Sequence, residues 1–130
     1  DMGCGTGVLA ILAARMGAGS VTAIDNDEWA FSNATDNLAH NAAGQVTVLK
    51  GDANHIPDKP FDLIVANINR NILLQDLPAY ARHLGKGGRL LLSGFYTADL
   101  GAIKSAAEAA GLLFSGFREN NDWVGARFCR

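Results

Sequence analysis

The stretch that decides the fold is Asp1–Gly7, which reads DMGCGTG and places three alternating glycines behind an acidic residue. Glycine lacks a Cβ atom, so Gly3, Gly5 and Gly7 let the backbone turn sharply and approach a bound molecule closely. The apolar run Val8–Ala14 that follows predicts a helix whose first N–H groups point back at the turn. A glycine turn that leads into a helix N-terminus predicts a nucleotide-binding site.

Length and composition favour one domain, residues 1–130, that needs neither disulfides nor metal to hold its core. The formal net charge of -2 disfavours direct nucleic-acid binding, because such proteins carry basic surfaces. Cys4 and Cys129 belong to no metal or disulfide motif, which indicates free thiols in a reducing cytoplasm. No apolar run is long enough to span a membrane, so no membrane partner is expected. Because the chain starts at Asp1 without the strand that should precede it, we expect a piece of a longer polypeptide.

Acidic residues follow three predicted strands. Ser20–Ile24 is a short β-branched run that ends at Asp25, and Val46–Leu49 leads to Asp52. Asp27 is a suitable N-cap for the helix between these two strands. Since Asp1 should also end a strand, the sequence predicts three carboxylates along one edge of a parallel sheet.

The second half continues the alternation of strands and helices. Phe61–Ala66 is apolar at nearly every position, which predicts a strand covered on both faces. The stripe of apolar residues over Asn71–Leu84 predicts a helix that Pro78 should kink or divide. Gly85–Gly88 predicts a turn into a fifth strand, Arg89–Phe95.

The last part of the chain predicts one more helix and a hairpin. We expect Thr97 to cap a helix that Gly111 ends. Leu112–Glu119 and Trp123–Arg130 then predict an antiparallel hairpin around Asn120–Asn121. The whole pattern predicts an α/β fold with a doubly wound, mostly parallel Rossmann-like sheet, a truncated first strand and a C-terminal β-hairpin.

Two nucleotide ligands compete for the glycine turn. Gly5–Ala10 also fits the G-x-G-x-x-A pattern of dinucleotide sites, but an acid before the glycines does not suit a pyrophosphate. S-adenosylmethionine has no phosphate and carries an ammonium group that suits Asp1. Asp25, about 20 residues past the glycines, suits a ribose, and Asp52 with the Ala53 backbone suits the adenine edge. These residues favour S-adenosylmethionine over a nicotinamide cofactor.

The motifs resemble those of class I S-adenosylmethionine-dependent methyltransferases. The matching motifs are Asp1–Gly7, Ala23–Asp25 and Gly51–Ala53. More narrowly, Val65–Ile68, Gly87–Gly88, Leu91–Gly94 and the spacing of Asn33, Asn37 and Asn41 resemble the catalytic domain of the family that methylates large-subunit ribosomal protein eleven. This resemblance covers essentially all 130 residues.

The resemblance implies methyl transfer to the α-amine and lysine ε-amines of a ribosomal protein, by a catalytic domain whose N-terminal substrate-recruiting domain is absent here. It implies Asn67 as the catalytic residue, which accepts hydrogen bonds from a neutral amine; the alternative is that Asn67 only caps the next helix. Asn69 and Asn71 are expected in turns. The predicted cofactor-binding residues are Asp1, Gly3, Cys4, Gly5, Thr6, Gly7, Asp25, Asn26, Asp52, Ala53 and Asn67.

The sequence is also compatible with other functions. Methyltransferases that act on glutamine amides, bases or small amines usually carry an Asn-Pro-Pro-Tyr-like motif where this chain has Asn67–Arg70. An NAD-dependent oxidoreductase and a binding module without activity are the alternatives from other classes. Cys4 is expected to be a packing residue, because no basic partner lies near it in sequence. The three histidines share no metal-ligand spacing, so no metal is expected.

Overall fold

Short helices and parallel strands make up the first part of the chain. The computed structural model describes residues 1–130, which divide into two units, Asp1–Ile56 and Pro57–Arg130. The elements of the first unit are α1 Val8–Arg15, β1 Val21–Asp25, α2 Glu28–His40, β2 Val46–Lys50 and a 3-10 turn, Ala53–His55.

Strands β1 and β2 pair in parallel, from Val21 opposite Val46 to Asp25 opposite Lys50. Met2 forms a single parallel bridge to Ile24, at the position where the first strand is expected. The core between strands and helices consists mainly of small buried side chains, namely Cys4, Ala10, Ala23 and Ala34. Small residues allow the two helices to lie close to the strands.

Helix α2 starts where the sequence predicts. The Asp27 carboxylate accepts a hydrogen bond from the Ala30 N–H at 2.9 Å, which satisfies one of the free donors of the first turn. Helix α1 starts at Val8, directly after Gly7, whose φ of 77° ends the glycine turn. Both expected helices are therefore confirmed.

The second unit contains a four-stranded sheet and two helices. The strand order is β3-β4-β6-β5, with β3 parallel to β4 and the other neighbours antiparallel. Its elements are β3 Phe61–Asn67, α3 Arg70–His83, β4 Leu84–Tyr96, a 3-10 turn Thr97–Asp99, α4 Leu100–Ala109, β5 Leu113–Asn120 and β6 Trp123–Cys129. No helix in the structure has the length and apolar character that crossing a membrane requires.

Burial alternates along the strands of this sheet. Leu90 and Leu92 are buried while Leu91 is 37% exposed, and Ile64 is buried while Leu63 is 43% exposed. Helices α3 and α4 pack against each other and cover the buried face. The expectation that β3 would be covered on both faces is therefore wrong: one face of β3 is packed, and Leu63 lies on the other.

Three local expectations change with the structure. Pro78 lies inside one continuous helix, so the expectation that it divides the helix is wrong. Strand β4 begins at Leu84, earlier than expected, but the chain does turn at Gly85–Gly88: Phe61 pairs with Leu84 and Leu63 with Arg89, so the register shifts there, and Gly87 has a φ of 77°. Thr97 does not cap α4: its hydroxyl donates to the Asp122 carbonyl at 3.2 Å, and α4 begins only after the 3-10 turn.

The predicted hairpin is confirmed, with its turn one residue further along. Asn121 and Asp122 have φ values of 50° and 67° and connect β5 to β6. Two consecutive residues with positive φ are typical of a two-residue type I′ turn, which Asn and Asp tolerate. The twist of this turn matches the twist of the flanking strands and thereby fixes their pairing.

Candidate functional site

The glycine turn is held by its own backbone and by strand β1. Gly7 N–H donates to Cys4 O at 2.8 Å, and Cys4 N–H donates to Ile24 O at 3.1 Å. Gly5 has a φ of 53°, and a Cβ placed on it would meet no atom within 4 Å. A Cβ on Gly7 would lie 3.3 Å from Ala34 Cβ. Gly7 therefore lets the turn pack on α2, whereas Gly5 faces open space.

Asp25 connects the three loops at the carboxyl ends of the strands. Its Oδ2 accepts a hydrogen bond from Gly5 N–H at 2.8 Å, and its Oδ1 accepts one from Asp27 N–H at 3.0 Å. Its main-chain carbonyl accepts from Gly51 N–H at 2.9 Å. A carboxylate has about four acceptor positions, so Asp25 can still accept hydrogen bonds from ligand hydroxyls while it holds the turn.

The Asp1 carboxylate faces the beginning of α1. Its Oδ2 accepts from Ala10 N–H at 3.0 Å, in the first turn of the helix. Gly7 is the N-cap residue and has no side chain to do this, so Asp1 takes over the capping role. Its second oxygen makes no hydrogen bond within the protein and is free to accept one from a ligand ammonium group.

Asp52 closes the third loop and is exposed. Its Oδ1 accepts from Asn54 N–H at 2.9 Å and lies 3.0 Å from His55 Nδ1. The Asn54 backbone hydrogen bond is the main cause that lowers the pKa of Asp52 below its usual range. The next residue, Ala53, begins the 3-10 turn and is buried. Asp52 thus stays ionised at neutral pH with its carboxylate at the surface.

Two further residues of the predicted cofactor site, Thr6 and Asn26, are exposed. The Thr6 carbonyl accepts a hydrogen bond from Asn37 Nδ2 at 2.9 Å. Asn37 belongs to α2 and in turn accepts, through its carbonyl, from Asn41 Nδ2 at 2.9 Å. The spacing of these asparagines was noted in the sequence, but their role as a support of the glycine turn was not predicted.

Cys4 is buried inside the turn. Burial, with the nearby Asp25 as a smaller cause, raises the pKa of its thiol to about 11. The side chain packs against alanines of the core, so Cys4 contributes packing and its backbone rather than a reactive thiolate. Across the chain, no three or more His, Cys, Asp or Glu side chains converge in a way that holds a metal ion.

Asn67 lies in the second unit, at the end of β3. It pairs in register with Ser93 of β4, and the following residue, Ile68, donates its N–H to Ser93 O at 3.2 Å. The Asn67 side chain is exposed and makes no hydrogen bond within the protein. Asn69 is the N-cap of α3, because its Oδ1 accepts from the N–H groups of Asn71 and Ile72. Capping is therefore not the role of Asn67.

Gly94 allows the chain after Asn67 to lie close to strand β4. Its φ is 88°, and a Cβ on it would lie 2.8 Å from the carbonyl carbon of Ile68, a distance at which the backbone must shift. Gly94 belongs to a motif that resembles the family, but that motif alone does not predict this contact.

Comparison with known proteins defines the class and then the family. Among solved structures, the ribosomal protein L11 methylase of Lactobacillus delbrueckii subsp. bulgaricus matches with a TM-score of 0.93 and 33% identity, over 98% of this chain and 66% of that chain. The M. jannaschii TYW2 structure, solved in complex with AdoMet, shares the fold at a TM-score of 0.77 and 17% identity, over 99% of this chain and 65% of that chain. The fold is that of the Rossmann-like methyltransferases.

Comparison of the sequence identifies a single family within this class. The family described as Ribosomal protein L11 methyltransferase (PrmA) matches residues 1–130. The Ribosomal protein L11 methyltransferases of Porphyromonas gingivalis and Phocaeicola vulgatus are 55% and 50% identical over 129 residues, 98% of this chain. The chain belongs to this family. It spans 44% and 46% of the length of those two relatives.

Proposed function

We propose that the protein transfers methyl groups from S-adenosylmethionine to amino groups of ribosomal protein L11, both an α-amine and lysine ε-amines. The observation that carries this proposal is the 55% identity, over 98% of the chain, to a Ribosomal protein L11 methyltransferase. Because the chain spans less than half of that relative, the proposal assigns residues 1–130 to the catalytic domain. A ribosomal protein as substrate places this activity in the cytoplasm.

The residues of the first unit fit S-adenosylmethionine. One carboxylate oxygen of Asp1 has no partner and suits an ammonium group. The acceptor positions that the Asp25 carboxylate does not use within the protein suit ribose hydroxyls. The open space next to Gly5 leaves room for a ligand against the turn. We assign Asp52 and the Ala53 backbone to the adenine edge. When bound, the cofactor supplies a methyl group that its sulfonium activates toward nucleophiles.

A methyl acceptor must be a neutral amine with its lone pair directed at the methyl group. With a pKa of about 10.4, only about one lysine in a thousand is neutral at pH 7.4, which corresponds to about 4 kcal/mol. Hydrogen-bond acceptors and partial desolvation offset this cost. Correct orientation of the amine accounts for the rest of the rate enhancement, since the reaction is a direct displacement.

We assign this orienting role to Asn67. Its side-chain carbonyl is exposed and unpaired, so it can accept a hydrogen bond from the amine without breaking a structural one. The main chain after it is held by the Ile68–Ser93 hydrogen bond and by the close approach to Gly94. A rigid backbone limits the positions that the side-chain amide can reach, which favours productive contacts with the amine.

The test is to incubate the protein with S-adenosylmethionine and L11 and to count methyl-sized mass increments on L11. Asn67→Ala should lower the rate about a hundredfold, the order found when one group that binds the reacting atoms is removed. The cofactor dissociation constant, measured by calorimetry, should stay the same. Asn120→Ala, which changes an exposed asparagine at the end of β5 in the same unit, is the matched control and should keep the rate.

Three results would contradict parts of this proposal. Equal losses of cofactor affinity and rate in Asn67→Ala would make Asn67 a binding residue only. Methylation of another amine substrate, with none on L11, would refute the substrate and keep the class of reaction. Binding of NAD in place of S-adenosylmethionine would refute the class itself.

A further inference from the structure

An ion pair joins the two loops that flank the Asn67 segment in the second unit. Arg70 is the first residue of α3, and Asp99 is the last residue of the 3-10 turn that follows β4. Arg70 Nε lies 3.0 Å from Asp99 Oδ1. The pair therefore links the chain three residues after Asn67 to the loop at the end of the neighbouring strand.

The pair is more constrained than an ordinary surface ion pair. Arg70 Nε is out of contact with solvent, although the side chain as a whole is 42% exposed, and the Asp99 carboxylate is the group that lies next to it. Arg70 Nη1 donates to Asn71 Oδ1 at 3.2 Å. The second oxygen of Asp99 accepts from Tyr96 N–H at 3.4 Å, which ties the carboxylate to the end of β4. Loss of either partner leaves a polar group without compensation.

The segment between these anchors carries the proposed catalytic amide. Asn69 caps α3, and Ile68 is held at Ser93 and packs closely on Gly94. These contacts fix the main chain on the side of β4. The Arg70–Asp99 ion pair joins the start of α3 to the loop after β4. Without it, one link between the helix start and that loop is lost.

We propose that Arg70 and Asp99 are positioning residues that hold the Asn67 amide in its reactive orientation. This inference rests on the proposed function of Asn67. The pair touches no reacting atom in this proposal; it acts by fixing both ends of the short segment Asn67–Arg70. Displacement of a reacting group by about 1 Å costs about a hundredfold in rate, so a small loosening of this segment has a large effect on turnover.

The experiment compares Asp99→Asn with a control in the same unit. Asp99→Asn keeps the size of the side chain and removes its charge. Glu108→Gln removes the charge from the Lys104–Glu108 pair, which is longer, at 3.9 Å, and joins two positions of one helix. We expect Asp99→Asn to lower kcat about tenfold or more with an unchanged KM for S-adenosylmethionine, and Glu108→Gln to leave both unchanged.

Two more variants separate positioning from general stability. Asp99→Glu, which restores the charge, should recover a large part of kcat. Adding Arg70→Gln to Asp99→Asn should lower kcat no further, because the two residues act as a unit. The midpoint of thermal unfolding should change as little in Asp99→Asn as in Glu108→Gln. A loss of kcat that follows a loss of thermal stability would overturn the inference, and so would an unchanged kcat in Asp99→Asn.

A readout without catalysis keeps this test separate from that of the proposed function. The side-chain amide signal of Asn67 in a ¹H–¹⁵N NMR spectrum is identified by its disappearance in Asn67→Ala. It should shift in Asp99→Asn and stay in place in Glu108→Gln. If the protein transfers no methyl group at all, the proposed function fails. The NMR signal alone then decides whether the Arg70–Asp99 pair positions the Asn67 side chain. An unmoved signal in Asp99→Asn refutes the link.

Discussion

Alanine substitutions at Gly5 and Gly7 should rank in one order for the loss of stability and in the reverse order for the loss of ligand binding. Both glycines have positive φ, 53° and 77°. Placing a Cβ in this region costs about 1 kcal/mol, and both variants incur this cost. The two positions differ in their surroundings: a Cβ on Gly5 meets nothing within 4 Å, whereas a Cβ on Gly7 meets Ala34 Cβ at 3.3 Å.

The difference gives a ranking of stabilities. Gly5→Ala should lower the free energy of unfolding by about 1 kcal/mol. Gly7→Ala should lower it by about 2 kcal/mol or more, since overpacking of a buried contact adds at least about 1 kcal/mol. Urea unfolding followed by circular dichroism measures both values.

Ligand binding should follow the reverse order. The open space beside Gly5 is where we propose that the cofactor lies, so Gly5→Ala should weaken S-adenosylmethionine binding about tenfold or more, equal to about 1.4 kcal/mol. Gly7→Ala should weaken it less at a temperature where the variant is folded. Calorimetry measures both dissociation constants. Equal stabilities, or weaker binding in Gly7→Ala than in Gly5→Ala, would refute the assigned roles.

Three further predictions concern other positions. Asn69→Ala removes the cap of α3 and should lower the free energy of unfolding by about 1 kcal/mol, measured in urea. Iodoacetamide at pH 8 should modify Cys129 before Cys4, as read by mass spectrometry, because the raised pKa of Cys4, about 11, keeps that thiol protonated; faster loss of Cys4 would contradict this. The folded-state pKa of Asp52 is lowered, so its contribution to stability is present above its ordinary pKa and is lost as pH falls through the lowered value. Asp52→Asn should remove that part of the acid dependence of thermal unfolding, and an unchanged profile would refute it.

Much of the fold follows from local patterns. Helix α2, the strands that end near Asp25 and Asp52, and the C-terminal hairpin were all predicted from periodicity, caps and turn residues. These features depend on neighbours a few positions apart, which the sequence displays directly. The incorrect predictions concern elements whose first and last residues depend on contacts with residues distant in sequence. Strand β4 begins at Leu84 rather than at Arg89, because Leu84 pairs with Phe61 far away in sequence, before the irregular segment Gly85–Gly88.

The helix after β4 shows the same limit. Thr97 has the residue type of an N-cap, yet its hydroxyl and its N–H both bond the Asp122 carbonyl from the hairpin turn. A contact between positions 25 residues apart therefore outweighs a local preference. The helix begins at Leu100 because the turn before it is tied to the hairpin.

For the candidate site, the sequence by itself determined the residue types and their order: acid and glycines in Asp1–Gly7, then Asp25, Asp52 and Asn67. Residue types and short spacings are local properties, and they sufficed to predict the family. Only the tertiary structure decided how the groups are used. Asp25 holds the glycine turn through Gly5 N–H, Asp1 caps α1, and Asn69 rather than Asn67 caps α3. Hydrogen-bond partners depend on distances between strands and helices, which arise only when the core packs.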